Sequence, residues 1–381
     1  MPRPLNPEGL PVVLVLQGGG ALGAYQAGVY QAMHEHGLTP DWVVGTSIGA
    51  INAGIIAGNP PGTRIERLKA FWDGVSHADG IDMETVSDAQ RRAQIRMNTA
   101  DIMLRGSPGF FAPRMFSPFP LGVAVDPEQA SFYDTSGLDA TLKSLVDFDY
   151  LNSGDAIRLT VNAVKVTSGA LAHFDSKELR ITSDHIRASC SLPPGFPPVR
   201  VDGALYWDGG LYSNTPLESV LRGSTGGDTL CFMVDLWSAE GAEPTTLDEV
   251  YTRQKDVTYA SRSERHIADY VATQKLTRKL QELRNRLPPA LRTAEDDAEL
   301  KDLGCEATLH IINLRYAGHD WHMAAKDVNF TRGSIEWRWD QGYADAGRAL
   351  RLAAWLRHPD EGAPVVMHVL PSHDATPRQA D

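Results

Sequence analysis

The first strongly apolar run of the chain, Val12 to Leu16, is followed at once by a glycine-rich stretch, Gly18 to Gly23. Five consecutive apolar residues are typical of a strand that is buried on both faces, as in a parallel sheet. The residues after the glycines predict a helix, because apolar side chains recur there at intervals of three or four residues. These side chains are Leu22, Tyr25, Val29 and Met33. The glycine loop leaves its backbone amides open to a ligand, so we expect it to bind an anion.

A second strand, turn and helix follow. Trp42-Val43-Val44 is short and apolar, and Ile48 to Ala57 is a run of small and apolar residues that predicts a helix. Between them, Gly45-Thr46-Ser47-Ile48-Gly49 predicts a tight turn that exposes the Ser47 hydroxyl at the start of the helix. Ser47 is therefore a candidate nucleophile, on a strand end that neighbours the glycine loop.

The rest of the chain continues to change between strand and helix patterns. Apolar or alternating runs predict strands at 157–165, 170–175, 199–208, 230–236 and 308–314, with 199–208 divided in two around Gly203. Helical spacing predicts a helix at 65–72, one or two helices at 254–287 and a last helix at 343–357, which follows Trp337 and Trp339. Residues 74–133 predict a long irregular insertion that is rich in aromatic residues and proline.

Two interpretations of this insertion stay open. Phe110, Phe111 and Phe116 belong either to a substrate lid or acyl-binding wall, or to plain cover over the core. In the first case the rings line a channel for an acyl chain, since each methylene that is removed from water contributes about 0.8 kcal/mol.

The glycine loop alone also fits another class of protein. Gly18-x-Gly20-x-x-Gly23 after a strand is the fingerprint of a dinucleotide-binding unit. Such a unit requires an acidic residue at the end of its second strand, whereas Asp41 precedes that strand and Gly45-Thr46-Ser47 ends it. Acyl transfer fits both motifs better, because it requires a nucleophile beside an oxyanion cradle. A nucleotide- or anion-binding module remains the non-enzymatic alternative.

A serine nucleophile requires a base, and Asp208 is the candidate. It ends the strand pair that is predicted at 199–208, and it begins the run Asp208-Gly209-Gly210. A carboxylate at such a glycine turn can accept the serine proton directly.

With these blocks the chain resembles the patatin-like phospholipase family over residues 11–240. The matching blocks are Gly18-Gly19-Gly20 with Gly23, Gly45-Thr46-Ser47-Ile48-Gly49, Ala188-Ser189 through Pro193, Phe196-Pro197-Pro198-Val199, and Asp208-Gly209-Gly210 with Asn214 and Pro216. The resemblance implies a three-layer α/β sandwich with a mostly parallel central sheet and a Ser47–Asp208 dyad that acts on acyl esters. It also implies that the loop of Gly18, Gly19 and Gly20 is the oxyanion hole. Leu22 stands where the family often carries a basic residue, which leaves the backbone donors intact.

The expected reaction is cleavage of the carboxylic ester of a lipid through an acyl-enzyme. Ser47 attacks the ester and Asp208 takes its proton. The amides of Gly19, Gly20 and Ile48 are the expected donors to the oxyanion, and the helix after Ser47 adds a partial positive charge.

Three histidines offer a rival mechanism. His310, His319 and His322 follow the serine and the aspartate along the chain, which is the order of an α/β-hydrolase triad. In that fold several strands and helices precede the nucleophile, whereas Ser47 follows a single strand–helix unit, which favours the dyad. His319-Asp320-Trp321-His322 also has the pattern of half a metal site. No matching set of ligands accompanies it in the sequence, and such a segment is more often part of the surface or of the packing. A dyad without histidine needs no metal and no cofactor, so we expect neither.

Composition narrows the partners and the compartment. With 381 residues the chain suits one large domain or one domain with an extension, and its formal net charge of −12 argues against a nucleic-acid partner. Cys190, Cys231 and Cys305 are an odd and sparse set, which indicates a reducing compartment rather than a disulfide framework. No apolar run approaches the roughly 20 residues that span a bilayer. We expect a cytoplasmic protein with at most weak peripheral contact at a membrane.

The pattern changes divide the chain into four parts. We expect a flexible arm at 1–10, the catalytic domain at 11–240, a mainly helical extension at 241–365 and a tail at 366–381. The helix between Arg253 and Arg286 is basic in an acidic protein. It is either a solvated face that pairs with acidic neighbours or a surface that faces lipid or a partner. The residues that would dock are Arg278, Lys279, Arg284 and Arg286.

Overall fold

The computed structural model describes residues 5–78, 88–114, 122–223, 227–288, 307–317, 325–356 and 363–369. Its strands are β1 Val12–Leu16, β2 Trp42–Gly45, β3 Ala112–Pro113, β4 Tyr133–Asp134, β5 Arg158–Lys165, β6 Leu171–Asp175, β7 Val199–Val201, β8 Ala204–Asp208, β9 Thr229–Asp235, β10 Leu309–Arg315 and β11 Val365–Val369. Its α-helices are α1 Ala24–Glu35, α2 Ile48–Ala57, α3 Arg64–Gly74, α4 Asp88–Arg105, α5 Ser136–Leu145, α6 Phe148–Leu151, α7 Ser183–Ser189, α8 Leu217–Gly223, α9 Leu247–Tyr259, α10 Ser263–Arg286 and α11 Arg332–Leu352.

The centre of the fold is a nine-stranded sheet with the order β11-β10-β9-β1-β2-β5-β8-β7, in which β6 also pairs with β5. The strands from β11 to β5 in this order run parallel to one another. The strands β6 and β8 are antiparallel to β5, and β7 is antiparallel to β8. The mostly parallel sheet that the resemblance implies is confirmed.

Strand β1 explains why helices cover both faces of the sheet. Leu14 and Leu16 join one apolar cluster, which includes side chains of α1, α2, α3 and α11. Val13 and Val15 join a second cluster on the opposite face, which includes side chains of α8 and α10. Successive residues of a strand point to opposite faces, so a continuously apolar strand must be buried on both sides. The result is the expected three-layer sandwich.

The strand register brings three loops to one edge of the sheet. Leu16 of β1 pairs with Gly45 of β2, so the glycine loop and the Ser47 turn leave the sheet side by side. Gly45 in turn pairs with Val161 of β5. Asp208 pairs with Ala163, two residues further along β5. Asp208 and Ser47 therefore reach the same level of the sheet, although β5 lies between their strands.

The C-terminal region is mainly helical, as expected, and it also completes the central sheet. The strands β10 and β11 continue the sheet beyond β9, so the core runs across the predicted boundary at residue 240. Strand β11 includes residues 366–369, which were expected to belong to the tail. At the other end of the chain, Trp355 Nε1 donates to the Leu5 carbonyl at 2.9 Å, so the described part of the predicted arm is held by the core.

Two predicted elements differ from the structure. Residues 74–133 are not wholly irregular, because they contain α4. The last helix begins at Arg332 rather than at 343, so Trp337 and Trp339 lie within it. Trp339 is buried and therefore lies on the inner face of α11.

The aromatic rings of the insertion pack into the core. Phe110 and Phe111 are 5% and 8% exposed. The Phe110 ring centroid lies 5.8 Å from those of both Phe196 and Phe330, and that of Phe111 lies 5.0 Å from Tyr133. These contacts favour the interpretation of plain core cover, because buried rings have little surface to offer an acyl chain. Phe116 lies outside the described residues.

Helices α1 and α11 approach each other through two glycines. A Cβ atom at Gly28 would lie 1.9 Å from the Trp339 carbonyl oxygen, and one at Gly342 would lie 2.0 Å from the Tyr25 carbonyl oxygen. Either distance is far below van der Waals contact, so the close packing requires glycine at both positions. Tyr25 also donates its hydroxyl to Asp345 at 2.9 Å, which ties the two helices together.

Among the described residues, no helix combines the length and the apolar character that are needed to cross a bilayer.

We expect Gly28→Ala to lower the free energy of unfolding by about 1 to 3 kcal/mol, because the added methyl group forces α1 and α11 apart. Gly74→Ala is the matched control, since a Cβ atom there meets nothing within 4 Å. Urea denaturation followed by circular dichroism measures both variants. Equal stability of the two variants would contradict the close packing of α1 on α11.

Candidate active site

Ser47 occupies a sharp turn between β2 and α2. Its backbone has φ 57° and ψ −128°, a conformation that L-residues rarely adopt. A backbone of this kind costs about 1 to 3 kcal/mol and persists only when the surrounding structure enforces it. The flanking glycines allow the turn, because a Cβ atom at Gly45 would lie 2.3 Å from the Gly49 carbonyl oxygen and one at Gly49 would lie 2.2 Å from that of Leu16. The turn leaves Ser47 half-buried at the first turn of α2.

The glycine loop lies against Ser47 and is held by polar side chains. A Cβ atom at Gly18 would lie 3.0 Å from Ser47 Cβ and 2.3 Å from Asn214 Oδ1. The Gly18 amide donates to the Asn214 carbonyl at 3.1 Å. Its carbonyl accepts from Asn214 Nδ2 at 3.0 Å and from Trp237 Nε1 at 2.8 Å. The Gly18 amide is therefore already occupied and does not serve as the oxyanion donor that the resemblance implies.

The other three expected donors have no partner among the described residues. The amides of Gly19, Gly20 and Ile48 donate no hydrogen bond within the described part of the chain. Gly20 has φ +55° and a Cβ atom there would lie 2.3 Å from the Asp327 carbonyl oxygen, so this position requires glycine. Gly19 is extended, with φ 176°, and is limited by space, since a Cβ atom would lie 2.7 Å from Leu236 Cδ1. Free amides at the start of a helix and in a glycine loop favour a negative charge between them.

Asp208 is 1% exposed and lies at the end of β8. Its Oδ1 atom accepts from the Gly210 amide at 2.7 Å, and its Oδ2 atom is buried with no hydrogen-bond partner among the described residues. Burial raises the pKa of this carboxyl to about 7, although the Ser47 hydroxyl and the Gly210 amide lower it. Geometry also places the two residues on either side of Asn214. A Cβ atom at Gly18 would lie 2.3 Å from Asn214 Oδ1 and 3.0 Å from Ser47 Cβ, and one at Gly210 would lie 2.8 Å from Asn214 Oδ1 and 3.0 Å from Asp208 Oδ1. A carboxyl with a pKa near 7 is suited to exchange a proton with a serine.

Tyr259 and Asn214 complete the surroundings of Ser47 and Asp208, and sequence reasoning gave neither of them a role. Asn214 Nδ2 donates to the Tyr259 carbonyl at 2.8 Å. Burial and the nearby carboxylates of Asp208 and Asp327 raise the pKa of the Tyr259 phenol. Asn214 stands in a block of the resemblance, six residues after Asp208, and that spacing was its only sequence clue. Tyr259 ends α9 and is brought here by tertiary packing, so the sequence carries no local indication of it.

The histidine of the rival triad lies at the other end of the sheet. His310 pairs with Leu230, which pairs with Val12 at the amino end of β1. Ser47 follows the carboxyl end of β2. The His310 ring lies instead against His368, with Nδ1 and Nε2 3.2 Å apart. A triad that uses His310 is therefore wrong, and His319 and His322 lie outside the described residues.

A cavity of about 710 Å³ lies beyond the glycine loop, and neither Ser47 nor Asp208 lines it. Leu236, which packs against Gly19, forms part of its wall together with residues of α9 and Tyr316. Within the described ranges, no three His, Cys, Asp or Glu side chains come together as they would around a metal ion.

Comparisons with known proteins point to one family. The sequence profile of the family described as patatin-like phospholipase matches residues 14–221, and a profile described as patatin phospholipase matches residues 257–362. An uncharacterized NTE family protein of Mycobacterium tuberculosis (strain CDC 1551 / Oshkosh) is 29% identical over 224 residues, which are 58% of this chain and 30% of that protein. The lysophospholipase NTE1 of Meyerozyma guilliermondii is 24% identical over 61% of this chain and 13% of its own length. The chain thus spans less than a third of these relatives.

Solved structures resemble the chain more distantly. VipD from Legionella pneumophila has a TM-score of 0.39 at 14% identity, over 90% of this chain and 67% of its own. Human GIVD cytosolic phospholipase A2 has a TM-score of 0.39 at 11% identity, over 91% of this chain and 60% of its own. The family rests on the sequence profiles, the first of which alone spans more than half of the chain. The protein belongs to the patatin-like phospholipase family.

Proposed function

We propose that this protein hydrolyses the carboxylic ester of a lipid through an acyl-enzyme, with Ser47 as nucleophile and Asp208 as base. The observation that carries the proposal is a strained, half-buried Ser47 beside a buried carboxyl with a raised pKa and three free backbone amides. Family membership supports a lipid acyl ester as the substrate class, and one relative bears the name lysophospholipase. The alternative of a dinucleotide-binding module loses its support, because the glycine loop lies within the residues that match the patatin-like phospholipase profile.

In the first half-reaction, Ser47 Oγ attacks the ester carbonyl carbon and its proton passes to Asp208 Oδ2. The carbonyl oxygen becomes an oxyanion, which the amides of Gly19, Gly20 and Ile48 stabilise. The tetrahedral intermediate collapses, the bond to the alcohol oxygen breaks, and Asp208 returns the proton to the leaving alcohol. The acyl group is then bonded to Ser47.

In the second half-reaction, water attacks the acyl carbon and gives one proton to Asp208. Collapse of the second tetrahedral intermediate breaks the bond to Ser47 Oγ, which regains a proton from Asp208. A free carboxylic acid leaves. Asp208 acts as base and then as acid in each half, so a pKa of about 7 suits both directions near neutral pH.

We further propose that α10 contacts the lipid surface on which the substrate lies. Three exposed leucines of α10, Leu276, Leu280 and Leu283, follow one another at intervals of four and three residues, and a fourth, Leu287, stands directly after the helix ends. Of the four basic residues that were expected to dock, Lys279 and Arg286 are exposed, and Lys279 also pairs with Glu282 at 2.9 Å. Arg278 and Arg284 are half-buried with partners of their own. An exposed apolar stripe with flanking basic residues is typical of helices that lie in a membrane interface.

Removal of either dyad side chain should abolish turnover. We expect Ser47→Ala and Asp208→Asn to lower kcat/KM for p-nitrophenyl esters by roughly 10⁴-fold each, because one removes the nucleophile and the other cannot accept its proton. His310→Ala is the matched control and should keep its activity, since His310 lies at the far end of the sheet. Labelling by a fluorophosphonate probe should likewise disappear only in the two dyad variants. Retained activity in a clean Ser47→Ala preparation would refute the assignment.

The role of α10 is tested by co-sedimentation with phosphatidylcholine vesicles, with and without phosphatidylserine. Leu280→Asp combined with Leu283→Asp should reduce the bound fraction by about tenfold or more, because two leucines no longer enter the apolar layer. Lys279→Glu combined with Arg286→Glu should remove only the extra binding that phosphatidylserine provides. Leu352→Asp, an exposed leucine on α11, is the control. If the wild-type protein stays in the supernatant at low salt, α10 is a solvated face.

A further inference from the structure

A turn that carries neither dyad residue holds the backbone of the nucleophile. Ser189, Cys190 and Ser191 follow one another at the end of α7, and all three are buried. The Ser47 amide donates both to the Ser189 carbonyl and to Ser189 Oγ, each at 3.1 Å. The Cys190 thiol donates to the Ser47 carbonyl at 3.0 Å. The Ser189–Ser191 turn thus binds the Ser47 backbone on both sides of its strained Cα atom.

The same turn also holds the base. The Asp208 amide donates to the Ser191 carbonyl at 3.0 Å. Ser47 and Asp208 extend from β2 and β8, which are separated by β5, so their strands are roughly 10 Å apart at a strand spacing of about 4.8 Å. The sheet therefore fixes their level but does not join their backbones. Three consecutive residues of the turn span this gap.

We propose that the Ser189–Ser191 turn is a positioning element that sets the geometry of proton transfer between Ser47 and Asp208. This inference rests on the proposed function, because it assumes that these two residues react. Ser189 and Cys190 enforce a backbone that Ser47 would otherwise leave, and Ser191 places Asp208 relative to it. The hydrogen bonds described from the turn to Ser47 and Asp208 all go to their backbones, not to the reacting atoms.

The chemistry of the Cys190 side chain fits this role. Burial and the nearby Asp208 raise the pKa of its thiol well above the usual value, so the thiol keeps its proton and remains a donor to the Ser47 carbonyl. A hydroxyl can replace this donor, whereas a methyl group cannot. Relaxation of Ser47 toward an ordinary backbone would move its hydroxyl away from Asp208 and slow the transfer of its proton.

The test compares Cys190→Ala with Cys190→Ser. We expect Cys190→Ala to lower kcat and the rate of fluorophosphonate labelling about tenfold, as the loss of one positioning hydrogen bond would, with KM within about twofold of wild type. Cys190→Ser should restore both rates to within about threefold. The control is Cys231→Ala, which deletes an equally buried thiol in β9, far from Ser47, and should leave both rates unchanged.

A pH profile separates positioning from mere stability. The Ser47 hydroxyl lowers the pKa of Asp208, so its displacement in Cys190→Ala should raise that pKa and shift the acid limb of kcat/KM to higher pH. Among the described residues, two other titratable groups face Asp208: the Tyr259 phenol and the Cys190 thiol itself. Both have a raised pKa and are neutral in this range, so removal of the thiol changes no charge beside Asp208. A variant that only destabilised the fold would melt earlier and keep the wild-type limb.

A second pair of variants covers the case in which Cys190→Ala does not fold. Ser189→Ala removes one of the two acceptors of the Ser47 amide, and Ser183→Ala removes a buried hydroxyl on the same helix that contacts Asp139 instead. Slower labelling in the first variant alone would support the proposal. Wild-type labelling rates and pH limb in Cys190→Ala or Ser189→Ala would overturn it. If Ser47→Ala itself remains active, the proposed function fails instead.

Discussion

The constraint on which the site depends is the left-handed backbone of Ser47. A serine in this conformation is strained, so the chain around it must hold it there. Gly45 and Gly49 make room for the sharp turn, and α2 begins directly after it with an amide that has no acceptor within the described part of the chain. The backbone conformation of Ser47 thus determines the direction of its hydroxyl and the position at which α2 starts. It also requires small residues on either side of Ser47.

The burial of Asp208 costs folding free energy, as the strained backbone of Ser47 does. Its pKa is raised above the value of about 3.9 in an unfolded chain, so between pH 4 and 7 the folded protein binds a proton that the unfolded chain has lost. The free energy of unfolding is therefore higher at low pH, where this carboxyl is protonated, and falls as the pH rises through this range. A protein that was selected for stability alone would avoid such a carboxyl. Its place beside a strained serine is what makes the pair reactive in our account.

Local motifs made the strand–loop–helix units around Gly18 and Ser47 predictable, because turn chemistry and apolar spacing act over a few residues. The placement of Asp208 beside Ser47 depends on the register of β8 on β5, which no local pattern of the sequence reveals. Sequence reasoning missed α4, whose buried side chains Ile95 and Ile102 stand seven residues apart and give a weak helical pattern. The Gly18 amide is occupied because it donates to the carbonyl of Asn214, which stands 196 positions away in the sequence.

The most direct test of the account is the pH dependence of fluorophosphonate labelling, which reports the Ser47–Asp208 proton transfer without substrate binding or product release. The second-order rate constant should rise with pH up to about 7 and then level off, since Asp208 accepts the proton only when it is ionised. In Asp208→Asn the rate should be low and should lack this limb. A limb that survives in Asp208→Asn, or a wild-type rate that is flat from pH 5 to 8, would contradict the account.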